Sequence, residues 1–202
     1  METLDLHGKR TMIRLDLNVP LKNGAVISDA RIMASLRTIQ MALDKGANVI
    51  LLSHLGRPDP EKLDGSFSLE PVAERLQEIL GIRVSFQSNW LEGIDHPSDG
   101  VTLCENVRYH AGEKKNDESL SQKIAGLCDV YVMDAFGASH RKHSSTYGAL
   151  QYAKERCIGP LLSNEVNSIK KAIDGPKSPV TAIIGGAKVS SKLGVIEKFS
   201  SF

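Results

Sequence analysis

Short apolar runs rich in β-branched residues alternate along this chain with longer segments whose apolar residues recur at helical spacing. Such alternation is typical of repeated β–α units, in which helices bury both faces of a parallel sheet. The runs that predict strands lie at residues 11–17, 48–53, 82–86, 101–104, 129–134 and 180–184. We therefore expect an α/β fold of three layers, α/β/α, around a six-stranded, mainly parallel, Rossmann-like sheet.

Helical stripes separate the predicted strands. They lie at residues 32–43, 72–80, 120–127 and 162–173. Gly46 and Gly81 follow the first two stripes, and glycine commonly ends a helix because it tolerates a left-handed backbone. Two segments, 57–67 and 135–160, show neither the apolar runs of a strand nor the helical spacing of apolar residues. They are rich in glycine, serine and charged residues. We expect both of them to be loops.

The end of the chain predicts a second domain. After Pro179 a strand, a glycine turn and a helical stripe with Val189, Leu193 and Ile196 follow one another, and no further unit succeeds them within the 202 residues. An isolated β–α unit has nothing to pack against. We therefore expect residues 1–177 to form one domain and residues 178–202 to begin a second, truncated α/β domain.

The composition narrows the classes of partner and compartment. Lysine and arginine number 25 and acidic residues 24, so the overall charge gives no reason to expect nucleic acid or an acidic membrane as a partner. The 3 cysteines form no CxxC pair, which is typical of a reducing compartment, and we expect a cytoplasmic protein. We expect neither a membrane span, which needs about 18 apolar residues, nor a cleavable leader.

Basic side chains follow the ends of the predicted strands, where ligands bind in open parallel sheets. Four arginines stand just after a strand or in the first turn of a helix: Arg31, Arg57, Arg108 and Arg141. One arginine at such a position is usually a solvated surface residue. Planar guanidinium groups bind phosphate and carboxylate through paired hydrogen bonds, so four at one sheet edge predict a site for a small polyanion.

Other polar residues near these arginines have two interpretations each. Asp16 and Asn18 follow the first strand and either contact the ligand or fix the turn before Pro20. His54, His140 and His143 either join the site or are ordinary loop histidines, and His-x-x-His without a third ligand is too weak to predict a metal site. The mixed-charge run at 113–118 is expected to be a solvated turn.

The turn at Gly185 and Gly186 leads from a strand into a helix, a geometry that directs backbone N–H groups at an anion. The spacings of a P-loop and of a dinucleotide-binding turn are both missing. The two glycines either serve a phosphate or only bring the helix close to the sheet. Lys188 and Lys192, one helical turn apart, favour the phosphate.

Six motifs, in order, resemble those of the phosphoglycerate kinase family. They are RLDLNVP at 14–20, DARI at 29–32, SHLGRP at 53–58, ENVRYH at 105–110, DAFGASHRKHSS at 134–145 and GGAKVSSK at 185–192. The resemblance covers essentially the whole chain. It implies a two-domain glycolytic transferase with a hinge, expected to be a monomer, whose first half binds 3-phosphoglycerate or 1,3-bisphosphoglycerate and whose second half binds ADP or ATP with Mg²⁺.

The resemblance also implies roles for single residues. The substrate-binding positions would be Asp16, Leu17, Asn18, Arg31, His54, Leu55, Gly56, Arg57, Arg108 and Arg141. Arg31 and Lys188 would be catalytic, because both would contact the phosphoryl group in flight, and Lys192 would reach the nucleotide phosphates. The family's other nucleotide-binding elements and its magnesium ligand would lie beyond Phe202, so we expect no cofactor to be held by this chain alone.

Two other functions compete with a kinase half. A stand-alone anion-binding or scaffold module would need the arginines but would leave Lys188 and Lys192 without a use. A nucleotide-binding regulatory domain is a weaker interpretation, because no nucleotide fingerprint precedes Gly185.

Overall fold

The computed structural model describes residues 1–94, 100–173 and 193–199, together with Thr181 and Ile183. Met1–Glu165 and Val166–Phe202 form two compact units. The sheet and its helices belong to the first unit. The described parts of the second unit are mainly the end of one helix and a short later one. The domain boundary expected between residues 177 and 178 stays a prediction.

A sheet of six parallel strands forms the centre of the first unit. In chain order the strands are β1 (Arg10–Arg14), β2 (Leu21–Lys22), β3 (Ala25–Val26), β4 (Asn48–Leu52), β5 (Arg83–Gln87), β6 (Gly100–Cys104), β7 (Val130–Met133) and β8 (Glu155–Ile158). The sheet order is β5-β6-β4-β1-β7-β8, and β2 and β3 form a separate antiparallel hairpin. Each of the first five predicted strands overlaps a strand of the sheet.

The helices lie between these strands. They are α1 (Ala30–Asp44), α2 (Glu70–Leu80), α3 (Glu118–Gly126), α4 (Phe136–Ser139), α5 (Ala149–Tyr152), α6 (Pro160–Ile173) and α7 (Leu193–Phe199). Four of them, α1, α2, α3 and α6, confirm the four predicted stripes. Gly81 ends α2 with a φ of 66°. The carboxylate of Asp117 begins α3 by accepting a hydrogen bond from the backbone N–H of Leu120 at 2.8 Å.

The segment 135–160 was predicted to be a loop, and that prediction is wrong. It contains α4, a π-helical turn at Ser144–Gly148, α5 and the edge strand β8. The strand β8 pairs with β7 and carries Glu155 and Arg156, and it is largely exposed. An edge strand has one side open to water, so its sequence lacks the apolar run that marked the inner strands. The sixth predicted strand, 180–184, lies outside the described residues apart from Thr181 and Ile183.

Two apolar cores lie on opposite faces of the sheet, because successive strand residues point to opposite sides. Ile13, Leu51 and Val132 belong to the core that includes residues of α1 and α2. Met12 and Ile50, one position earlier along their strands, belong to the core that includes residues of α3 and α5. This arrangement confirms the three layers. The cysteines are all free, and no helix among the described segments is long and apolar enough to cross a membrane.

Asp134 joins three elements directly behind β7. Its side chain is fully buried and accepts hydrogen bonds from the Thr38 hydroxyl in α1 and from the backbone N–H of Leu162, in the first turn of α6, at 2.8 Å. Burial raises the pKa of this carboxyl, and the two hydrogen bonds act in the opposite sense. Gly159 passes so close that a Cβ atom there would overlap the Asp134 carboxylate.

We predict that Gly159→Ala destabilises the protein by about 1–3 kcal/mol, because the added methyl group forces Asp134 away from Thr38 and Leu162. Gly126→Ala is the matched control: a methyl group at this helical glycine meets no atom within 4 Å. The free energy of unfolding of the control should equal that of the wild type within about 1 kcal/mol, or exceed it. Urea denaturation measures both. Equal stability of the two variants would contradict the close contact at Asp134.

Candidate functional site

The carboxyl edge of the sheet has a topological switch point beside β1. From β1 the chain crosses to β4 on one side, whereas from β7 it crosses to β8 on the other. Connections that leave neighbouring strands in opposite directions open a crevice beyond their carboxyl ends. The described residues of the predicted site all follow β1, β4, β6 or β7, and so face this edge.

The structure places the four arginines close enough together for their charges to interact. Arg31 and Arg57 are exposed, Arg141 is partly exposed, and Arg108 is buried. Burial, together with the charges of Arg141, Arg14 and Arg57, lowers the pKa of Arg108 to about 10. Like charges affect one another's protonation in this way only when they lie close together, so this edge of the sheet is a concentrated cationic surface.

Asp16 and Asn18 form a turn and also connect neighbouring loops. The Asp16 carboxylate accepts a hydrogen bond from the backbone N–H of Asn18 at 3.3 Å and forms an ion pair with Arg31. The side-chain oxygen of Asn18 accepts a hydrogen bond from the backbone N–H of Gly56 at 2.8 Å. Asp16 thus fixes the turn, and Asn18 joins the loops after β1 and β4. Contact of either residue with a ligand stays a prediction.

Leu17 and Leu55 belong to the frame of the site. Both side chains are buried, and the Leu17 backbone N–H donates to the hydroxyl of Ser53 at 2.9 Å. Asn106 pairs with the backbone of Leu55 on both sides, accepting from its N–H at 3.2 Å and donating to its carbonyl at 2.8 Å. The side chains of these two leucines therefore support the site from below and do not form its surface.

Gly56 lies where the loops after β4 and β6 meet. Its φ is 57°, and a Cβ atom there would overlap the ring of Phe67. Its carbonyl accepts a hydrogen bond from the guanidinium of Arg108. Only glycine fits this left-handed, crowded position without strain, so Gly56 fixes where Arg108 sits.

A buried charged cluster underlies the arginines, and sequence reasoning missed it. Arg14 and Glu113 are each 1% exposed, and the hydroxyl of Ser145 joins them. Arg14 Nε donates to this hydroxyl at 2.9 Å, and the hydroxyl donates to Glu113 Oε1 at 2.6 Å. The expectation of a solvated turn at 113–118 is thus wrong for Glu113. The available signal was Arg14 itself, a charge within an apolar strand, which is rare unless the charge is paired.

His54 lies against this cluster. The ring is 5% exposed, and its Nδ1 atom is 3.1 Å from a terminal nitrogen of Arg14. Burial, followed by the charges of Arg14, Arg108, Arg141 and Arg31, lowers the pKa of His54 to about 2. Burial and nearby arginines likewise lower the pKa of His143 to about 4, while His140 is exposed. At neutral pH His54 and His143 therefore add no positive charge to the site, and the arginines supply it.

The predicted residues Lys188 and Lys192 lie outside the described residues. Within the described ranges, no group of three or more histidine, cysteine or acidic side chains is placed to hold a metal ion. The described arrangement has the donors and the positive charge that an anion site needs. It presents arginine donors, a neutral imidazole and an amide around one crevice.

Comparisons with known proteins show the family to which the sequence and the fold are similar. The sequence model described as "Phosphoglycerate kinase" matches residues 1–201. Two phosphoglycerate kinases, from Legionella pneumophila (strain Lens) and Nitratidesulfovibrio vulgaris (strain DSM 19637 / Miyazaki F), are each 52% identical over 98% and 99% of the chain. The chain spans about half the length of these relatives, 50% and 51%.

Two solved structures are also similar to the chain. The phosphoglycerate kinase from Coxiella burnetii has a TM-score of 0.90 at 47% identity, and the one from Pyrococcus horikoshii OT3 has 0.85 at 32% identity. Each similarity covers 98% of this chain and about half of the solved chain, 50% and 51%.

We predict that His54 makes the stability of the protein depend on pH below about 6.5. Its folded-state pKa lies far below the ordinary value, so on acidification only the unfolded chain takes up this proton, and stability is lost as the pH falls. The loss is about 1.4 kcal/mol per pH unit for one proton. His54→Asn removes the titrating ring, so its unfolding free energy should fall less steeply between pH 6.5 and 4.

Glu113 and Asp134, whose pKa values burial raises, titrate in both proteins and cancel in the comparison. The measurement is chemical denaturation at several pH values. Parallel profiles for the wild type and His54→Asn would show that His54 titrates normally in the folded protein.

Proposed function

Because this chain belongs to the phosphoglycerate kinase family, we propose that it is the substrate-binding half of a phosphotransferase. The proposed reaction is reversible transfer of a phosphoryl group between 1,3-bisphosphoglycerate with ADP and 3-phosphoglycerate with ATP. The single observation that carries the proposal is the convergence of Arg31, Arg57, Arg108 and Arg141 at one sheet edge. A monophosphorylated carboxylate is the kind of small polyanion that such a group binds.

In this proposal the arginines bind different groups of the substrate. Arg57, Arg108 and Arg141 hold the phosphate that the substrate keeps. Arg108 suits this role because its Nε atom is buried with no hydrogen-bond partner in the described part of the chain, so the guanidinium is not saturated. Arg31, about half exposed and paired with Asp16, contacts the reacting carboxylate.

The polar residues beside Arg31 orient the other end of the substrate. Asp16 and Asn18 bind the hydroxyl and carboxyl end, and His54 donates a hydrogen bond. Leu17, Leu55 and Gly56 shape the backbone around these groups.

The proposed phosphoryl transfer needs cationic side chains and does not need a general base. The substrate carboxylate has a pKa well below 7, so it is already ionised and attacks the phosphoryl group without losing a proton. Nucleophile, transferring group and leaving group are all anionic. Catalysis of such a step rests on positioning and on neutralising the equatorial phosphoryl oxygens. A crevice of arginines beside a neutral histidine supplies both.

The nucleotide side of the reaction remains a further proposal. We assign Lys188 to the phosphoryl group in flight and Lys192 to the nucleotide phosphates, as the family resemblance implies. Mg²⁺ would enter with ADP or ATP. Within the described residues, no group of three or more histidine, cysteine or acidic side chains is placed to hold it. We further propose that the protein is a cytoplasmic monomer that binds neither nucleic acid nor membranes.

A stand-alone anion-binding module is not favoured. The family match extends through residue 201 and therefore includes the glycine turn with Lys188 and Lys192. A module that never meets a nucleotide has no use for these residues.

We predict that Arg31 affects turnover more than affinity, because it faces the carboxylate where charge changes during transfer. In a protein of the relatives' full length that carries this chain as its first half, Arg31→Ala should lower kcat by about a hundredfold or more. Arg57→Ala, the matched control on the retained phosphate, should mainly raise KM. Steady-state kinetics decides, and an unchanged kcat for Arg31→Ala would remove Arg31 from the catalytic role.

We predict that the 202-residue chain alone binds 3-phosphoglycerate weakly and ADP hardly at all. The arginines come from crossings within residues 1–145, whereas the family resemblance places the adenine pocket beyond Phe202. Calorimetric titration with each ligand tests this expectation. Tight binding of ADP would show that the division of the two sites is wrong, and absence of 3-phosphoglycerate binding would argue against the substrate site itself.

A further inference from the structure

Arg14 has no free edge to offer a ligand. Its Nε donates to the Ser145 hydroxyl at 2.9 Å, one terminal nitrogen donates to the carbonyl of Leu15, and the other lies 3.1 Å from Nδ1 of His54. The side chain is 1% exposed. A guanidinium that is buried and hydrogen-bonded at all three nitrogens can act on a substrate only through a neighbour.

The neighbour it acts on is His54. Arginine carries only donors, so the nitrogen of His54 that faces it must accept and cannot carry a proton. The imidazole is then neutral, and its one proton lies on Nε2, at the opposite edge of the ring. No other arrangement of protons leaves the 3.1 Å contact between Arg14 and Nδ1 attractive.

Charged groups from every neighbouring loop point to the same state. The cations that act on His54 are Arg14 from β1, Arg31 from α1, Arg108 after β6 and Arg141 after α4. Glu113 approaches the nearby ring of His143 at 3.8 Å, and it also acts on Arg14. The acidic side chain of Asp16 is paired with Arg31. A second charge on the His54 ring would therefore be repelled from several sides.

We propose that Arg14 is a positioning residue of the substrate site, which fixes His54 as the neutral tautomer protonated at Nε2 and so makes it a hydrogen-bond donor to the anionic substrate. Glu113 and Ser145 hold Arg14 in place for this purpose. The inference rests on the proposed function for the identity of the substrate. It does not rest on that function for the state of the ring.

This arrangement gives the site a specific property. A histidinium would bind an anion only below its pKa, and its contribution would vary across physiological pH. A neutral donor locked by Arg14 contributes the same hydrogen bond at every pH at which the protein is folded. The substrate would thus be recognised by fixed arginine charges and by one N–H of fixed direction.

The first experiment is nitrogen NMR of the 202-residue chain with ¹⁵N-labelled histidine. The ring nitrogens of His54, assigned through the loss of one signal set in His54→Asn, should show protonation at Nε2 alone and no titration between pH 8 and 5. The signals of the exposed His140 ring serve as an internal reference for a solvent-facing histidine. Protonation at Nδ1, or a midpoint near 6.5 for His54, would overturn the proposal.

Two substitutions separate the two edges of the ring. His54→Asn keeps an acceptor near the Nδ1 position for Arg14 but removes the donor at Nε2. His54→Gln keeps an amide donor near Nε2 but leaves Arg14 without its acceptor. We expect His54→Asn to stay the more stable of the two and to bind 3-phosphoglycerate on the order of tenfold more weakly than the wild type. Unchanged binding by His54→Asn would contradict a donor role.

Arg14→Gln tests the positioning residue itself. If this variant folds, the Nδ1-protonated form of His54 should become detectable and the ring should titrate at higher pH. An unchanged tautomer in the folded variant would overturn the role of Arg14. If it does not fold, the wild-type spectrum still decides. Failure of the wild type to bind 3-phosphoglycerate would count against the proposed substrate, while the NMR result would still test the ring.

Discussion

The buried pairing of Arg14 with Glu113 through Ser145 is the interaction on which this site depends. Ser145 uses all its polar groups: its N–H and hydroxyl donate to Glu113 at 2.9 and 2.6 Å, its hydroxyl also accepts from Arg14, and its carbonyl accepts from Tyr131 at 2.5 Å. Burial raises the pKa of Glu113, and Arg14 opposes that rise. Two buried charges persist only when each is paired and hydrogen-bonded, so removing either partner is costly.

This cluster determines where the functional side chains can be. Arg14 ends β1, Glu113 follows β6, Ser145 follows β7, and His54 follows β4, so one network ties together the four crossings that line the crevice. The links between Asn18 and Gly56 and between Asn106 and Leu55 tie the same loops above it. These hydrogen bonds between loops hold like-charged arginines side by side, and a preorganised cationic crevice is what phosphoryl transfer between anions requires.

The sequence predicted the inner strands and the strand-end arginines because both follow from periodicity and from the geometry of parallel sheets. It could not predict β8, whose Glu155 and Arg156 lie on an open edge where no apolar pattern is needed. Nor could it place Glu113, since a carboxylate in a mixed-charge run is buried only through partners distant in sequence, here Ser145 and Arg14. The family motifs predicted the residues at the surface of the site. The buried residues that support them are brought together only by tertiary contacts.

A crystal structure of this chain with 3-phosphoglycerate tests most directly whether the cluster holds a preformed substrate site. The account predicts the phosphate within hydrogen-bond distance of Arg57, Arg108 and Arg141, the carboxylate near Arg31, and the Arg14, Glu113 and Ser145 contacts unchanged at 2.6–2.9 Å. A ligand bound elsewhere, or bound only after these contacts rearrange, would contradict it.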